Sequence, residues 1–202
     1  MQRRKFYILS GVFASALIVA IVLVAVVRPV QAASGYTIAP LGFHNGATAK
    51  WVAGAGEHGG QGLVLEKTVP TSVVAAGVAQ INGVEQQHLD VDSLVLSFDH
   101  QNGTYCGAGA PRFNVDVTLP DGSSERIFLG CYYGTQSPAP VAGWTTYTFN
   151  VQNPGQCFCV LPPAGSVVTG IEIIQDEQGS ATLDHITIDG KVIDSRGNTD
   201  SQ

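Results

Sequence analysis

The sequence predicts an all-β domain, a two-sheet antiparallel β-sandwich of jelly-roll type, preceded by one N-terminal hydrophobic helix. Three observations carry this. Short segments alternate apolar and polar side chains with period two, the signature of half-buried strands. The chain is punctuated by 24 Gly and 10 Pro beside abundant Val, Ile and Thr, a mixture suited to strands and tight turns. Beyond the leader, no stretch carries the 3.6-residue period of an amphipathic helix.

After a short apolar opening with Trp51, the first strand spans Gly59–Lys67 and sets Leu63, Leu65 and Lys67 against Val64 and Glu66. A strand over Val73–Ile81 follows, with small residues on both faces. Ser93–Asp99 then points Leu94, Leu96 and Phe98 inward, with Ser97 and Asp99 outward. Phe113, Val115, Val117 and Leu119 alternate with Asn114, Asp116 and Thr118. The turn Pro120-Asp121-Gly122-Ser123 returns the chain as Arg126–Tyr133, a hairpin. Strands over Trp144–Val151 and Val167–Gln175 flank a loop containing Pro and Cys. In the last strand, Ala181–Ile188, Leu183 and Ile186 are three apart, so a bulge is expected at Asp184-His185.

Residues 1–33 read as a signal peptide or N-terminal membrane anchor, 34–194 as a single sandwich domain and 195–202 as a flexible polar tail. Met1–Lys5 is basic, and Tyr7–Val27 gives 21 nearly unbroken apolar residues, longer than the usual secretory core and close to a bilayer span. Cleavage after Ala32 would release the domain. Retention would anchor it with the domain outside. Either fate makes the protein extracellular or membrane-anchored, touching the membrane only through this segment. Arg3-Arg4-Lys5-Phe6 also resembles a twin-arginine export signal.

Ten Lys and Arg face sixteen Asp and Glu, and four of the ten (Arg3, Arg4, Lys5, Arg28) lie in the leader, so the body stands at minus ten. A surface of that sign does not neutralise phosphates, which excludes nucleic acid as a partner. Cys106, Cys131, Cys157 and Cys159 all lie beyond the leader and are even in number, the pattern of an exported disulfide framework. Cys131 lies on the return arm of the hairpin whose outgoing arm starts after Cys106, which favours that pair. Cys157 and Cys159 pair only if the backbone bends, because two extended residues advance about 6.6 Å. Zinc is the competing reading, and the Cys-x-Cys spacing does not match structural zinc.

Taken in order, the Gly-flanked first strand, Leu96-Ser97-Phe98-Asp99, Trp144 opening a late strand and Leu183-Asp184-His185-Ile186 resemble a galactose-binding-like jelly roll of the non-catalytic carbohydrate-binding modules, over about residues 51–193. The resemblance implies a polysaccharide or cell-surface glycan as partner. It also implies a structural calcium, the one cofactor expected, held by Asp184 with a second ligand at or near Glu66. His185 departs from the family pattern, where an Asn or aromatic is commoner.

Sugars are held by aromatic faces and by fixed polar groups. Candidates for the first role are Tyr105, Tyr133 and Trp144, and for the second Arg112 and Asn114, at the mouth of the hairpin. Tyr132 and Tyr133, adjacent on a strand, are expected to face opposite ways. The Gly-rich segment Asp99–Arg112 is the expected binding edge. Two readings compete with a binding domain. One is an extracellular glycoside hydrolase or lyase using Asp90, Asp92, Asp176, Glu177 or Asp184. The other is a protein-interaction scaffold. Glu57-His58-Gly59-Gly60 is unaccompanied by a Gly-x-Ser-x-Gly elbow, and His44, His58, His88, His100 and His185 lack metal-site spacing, so no catalytic residue is assigned.

Overall fold

Period-two alternation decides which side chains meet between the two sheets. Phe98, Phe113 and Phe149 are all fully buried, and their rings lie 5.4 to 5.7 Å apart in tilted and edge-to-face pairs. Phe98 and Phe149 come from one sheet and Phe113 from the other, so this cluster joins the layers. The computed structural model describes residues 35–157 and 159–193. The leader and the tail, with their expected helix, anchor and cleavage site, lie outside the described residues.

Among the described residues twelve strands form the sandwich: β1 (Thr37–Phe43), β2 (Ala47–Ala53), β3 (Gln61–Lys67), β4 (Ala76–Asn82), β5 (Val95–Gln101), β6 (Arg112–Thr118), β7 (Ser124–Gly130), β8 (Thr135–Pro138), β9 (Trp144–Asn150), β10 (Val167–Gln175), β11 (Gly179–Ile188) and β12 (Lys191–Val192). One sheet has the order β1-β4-β10-β6-β7. The other runs β2-β3-β11-β5-β9-β8, with β12 beside β11. All pairings between these strands are antiparallel. Among the described residues no helix is long and apolar enough to cross a membrane.

The predicted strands are present with shifted ends, and the expected bulge is there. Register slips between Asp184 and Thr187, where His185 takes a left-handed φ of 43°. Two expectations need correction. Tyr132 and Tyr133 do not continue a strand; the chain makes a 3-10 turn at Cys131–Tyr133, and both rings stay on the surface. Val73 and Val74 fall before β4 in an exposed connection. Both disulfides form: Cys106–Cys131 as expected, and Cys157–Cys159, whose Cα atoms are 5.3 Å apart, closer than two extended residues advance.

Lys67 ends the inward row of β3 and is 2% exposed. Its ammonium donates to the carbonyls of Thr71, Val73 and Asp176 at 3.1, 2.6 and 2.7 Å, which satisfies all three hydrogens and pins the β3–β4 connection against the end of β10. Lys67→Met keeps the buried stem but leaves three carbonyls without this donor. The expected loss is about 1–3 kcal/mol, read as a lower urea midpoint.

Candidate functional site

Burying Phe113, Val115 and Val117 under the sandwich sends Arg112, Asn114 and Asp116 to the outer face of the five-stranded sheet. The ladder sets Arg112 opposite Ile174 and Gly130, Asn114 opposite Glu172 and Phe128, and Asp116 opposite Gly170 and Arg126. Neighbours across a ladder on one face are within side-chain reach, and here they form a continuous polar chain. Arg112 grips Asp176 with two parallel bonds of 2.6 and 2.7 Å and donates from Nε to Asn114 Oδ1 at 2.7 Å. Asn114 Nδ2 donates to Glu172 Oε1 at 2.8 Å, Arg126 Nη1 reaches the same oxygen at 3.0 Å, and Arg126 clasps Asp116 at 2.6 and 2.8 Å. The Arg112 guanidinium also lies 5.4 Å from the centre of the Phe128 ring.

Arg112 forms a ridge between two open basins. On one side a cavity of about 320 Å³ is lined by Phe128, Tyr133 and the backbone at Ala108 and Gly109. On the other a cleft of about 490 Å³ is walled by Phe43, Val73, Val74 and Ile174, with Asp176 and Glu177 at its margin. The predicted binding loop reaches this face because Gly130 has no side chain. A Cβ there would sit 1.9 Å from the carbonyl oxygen of Ala108.

The structure thus brings Arg112, Asn114 and Tyr133 together. Asn114 is only 1% exposed and links Arg112 to Glu172, so it positions the face. Tyr105 stands beside the site as a strut. Its hydroxyl donates to Glu177 Oε2 at 2.8 Å, and this bond, more than burial, raises its pKa above the ordinary value. Trp144 is not in the site: it lies on β9 of the other sheet and is 7% exposed. Phe43, Phe128 and Glu172 were missed, and Asp176 was weighed only as a catalytic carboxylate. The run Arg112-x-Asn114-x-Asp116 was the one available signal, since alternation puts all three on one face.

A second cluster sits on the outer face of the seven-stranded sheet, where β11 meets the β2–β3 connection. Asp184 accepts the backbone N–H of Glu57 at 2.7 Å and of His185 at 2.8 Å, which folds the connection onto the strand. Burial raises the Asp184 carboxyl above its ordinary value, partly offset by these two donors. Ligating atoms of Glu57, Asp99 and His185 lie within 4.8 Å of one another. Glu57 Oε1 is buried without a hydrogen-bond partner. Burial, then the Asp99 and Asp184 carboxylates, push Glu57 up to about 7. Two converging carboxylates and one imidazole nitrogen, with an orphaned carboxylate oxygen among them, form a donor set able to hold a divalent cation, and Asp184 braces the Glu57 backbone beside it. Glu66 is not part of this cluster: it pairs with Ser180, four residues along β11 from Asp184.

The other carboxylates considered for catalysis are engaged. Asp90 accepts the N–H of Asp92, Asp176 holds Arg112, and Glu177 holds Tyr105.

No protein-family model and no curated protein matches the sequence. Among solved structures the chain is similar to a family 11 carbohydrate-binding module from Clostridium thermocellum in complex with a β-1,3-1,4-mixed-linked tetrasaccharide. That match has 16% identity and a TM-score of 0.42, over 83% of this chain and 95% of that one. It is also similar to the CBM22-1 xylan-binding domain from Paenibacillus barcinonensis, at 13% identity and a TM-score of 0.40, over 74% and 83%. A third is a C. thermocellum endo-1,4-β-D-xylanase fragment holding CBM22-1 and GH10 modules, complexed with xylohexaose. It matches at 15% identity and a TM-score of 0.42, over 75% of this chain but only 26% of that one.

A raised Glu57 carboxyl makes stability depend on pH. Between its ordinary value of 4.5 and about 7, the folded state keeps a proton that the unfolded chain has released. Stability of the metal-free protein therefore falls as pH rises through that window. Glu57→Gln mimics the protonated form and is expected to flatten the dependence, measured as thermal midpoints from pH 4 to 8.

Proposed function

We propose that this chain is a non-catalytic domain, exported and either released or anchored at the cell surface, that binds polysaccharide on the outer face of its five-stranded sheet. The observation that carries this reading is the rigid, internally bonded polar chain centred on Arg112, flanked by two open basins of which one is walled by aromatic rings. Guanidinium groups held in place suit hydroxyls, and exposed ring faces suit the C–H surface of a pyranose. Because the chain of bonds exists before any ligand arrives, little side-chain freedom is lost on binding. Two disulfides support export, since such bridges persist in oxidising compartments. Commitment of the candidate carboxylates to structural bonds favours binding over hydrolysis.

We propose also that the corner formed by Glu57, Asp99 and Asp184 takes a structural calcium. A divalent cation there would offset the burial and the carboxylate repulsion that raise Glu57, and stabilise the folded state by mass action.

Two measurements test these readings. In titration calorimetry against soluble neutral polysaccharides, at least one should bind. Tyr133→Ala should then weaken that affinity by about 1 kcal/mol, roughly fivefold, while Lys50→Ala on the opposite sheet should leave it unchanged. Binding that survives both Tyr133→Ala and Phe128→Ala would place the ligand elsewhere. Calcium should raise the thermal midpoint, more at pH 8 than at pH 5, and Glu57→Gln should remove most of that rise. An equal shift in the variant would move the cation away from this corner.

A further inference from the structure

The two basins beside Arg112 differ in chemistry. The Phe128 and Tyr133 side presents rings on which a flat pyranose face can lie. The other cleft is lined largely by aliphatic side chains: Val73 is 43% and Val74 75% exposed, and Ile174 and Ala76 line it too, with Phe43, 51% exposed. Branched aliphatic walls do not stack on a ring face, and a hydroxyl set among them would lose its water partners without gaining others. A methyl group loses nothing there and gains burial.

The charged members of the cleft are already satisfied. The Lys67 ammonium is held by three carbonyls, the Arg112 fork by Asp176, and Glu177 accepts the Tyr105 hydroxyl. The cleft therefore does not call for a charged ligand. Polar partners do stand at its rim. The Thr71 hydroxyl oxygen accepts the N–H of Gln178 at 3.0 Å, which leaves its hydrogen free to donate, and Ser72 lies next to it. A hydroxyl donor beside an aliphatic hollow is the arrangement that an acyl group, one carbonyl and one methyl, requires.

We propose that this cleft is an acyl subsite, which takes the acetyl substituent of an N-acetylated or O-acetylated glycan whose sugar ring lies toward Tyr133. The inference rests on the polysaccharide reading above. The two cavities share Gly109 and Arg112, so a ring in one and a substituent in the other belong to a single bound chain. Phe43 and Val74 are then the residues that set specificity.

The test compares uncharged ligand pairs, one differing by an acetamido group in place of a hydroxyl and the other by O-acetylation alone. Chitohexaose against cellohexaose, and partially O-acetylated xylan against the same xylan after mild alkaline deacetylation, are titrated into the full-length chain. An acetylated member should bind about tenfold or more tighter than its partner, the range one buried methyl supplies. Val74→Asp should erase that preference without lowering the thermal midpoint, since this side chain is 75% exposed. Equal affinities within both pairs, or a preference that survives Val74→Asp, would overturn the acyl subsite and leave the polysaccharide reading standing. Failure of every glycan to bind would sink the polysaccharide reading, and the subsite with it.

Discussion

The contact between Phe98, Phe113 and Phe149 is the constraint on which the rest of the molecule depends. It commits β6 to one register relative to the opposite sheet, and a strand has no third side. Once Phe113 points inward, Arg112 and Asn114 must point outward, and the neighbours that the ladder supplies them are Glu172 on β10 and Phe128 on β7. A slip of one residue would bury the arginine and expose the phenylalanine, so the core that holds the sheets together also specifies the composition of the outer face.

That face is charged but not open to charge. Each arginine on it is neutralised at close range, Arg112 by Asp176 and Arg126 by Asp116 and Glu172. Exposed pairs of this kind add little stability. Their effect here is geometric. Bidentate bonds hold the guanidinium planes still, and Asn114, buried between them, transmits the position of one to the other. Lys67 does the same for the wall of the larger cleft, since its three carbonyl partners lie on the β3–β4 connection and at the end of β10. Surfaces built this way are preorganised by polar bonds instead of by bulk apolar packing.

How much of this was legible in the sequence follows from how far each contact reaches along the chain. Alternation is local, so Leu63, Leu65 and Lys67 were placed together on one face of β3, and the β6–β7 hairpin and the bulge at Asp184-His185 were visible. β8 was not, because all its residues are exposed and it leaves no apolar pattern. Trp144 looked like a ligand-facing ring, since a strand start is commonly open, yet it is nearly covered. The partner of Asp184 was sought on β3 at Glu66. Asp184 instead bonds the backbone of Glu57 in the connection before β3 and draws that loop over the sheet. Loop paths carry no period, so nothing local announced this.

The Gly-rich loop between β5 and β6 shows the same division. Its composition marked it as an expected binding edge, and what fixes it on this face is three distant residues. Cys131 ties it covalently to the turn that carries Tyr132 and Tyr133, across a separation of 25 residues. Gly130 lets its backbone lie against β7, and Glu177 receives the hydroxyl of Tyr105 from its far end. A loop so rich in glycine would have much conformational freedom to lose on binding if it were held only by its ends. Fixed at these three points, it has surrendered most of that freedom during folding. Its Ala108 and Gly109 backbone can therefore form part of the aromatic basin wall as firmly as a strand does.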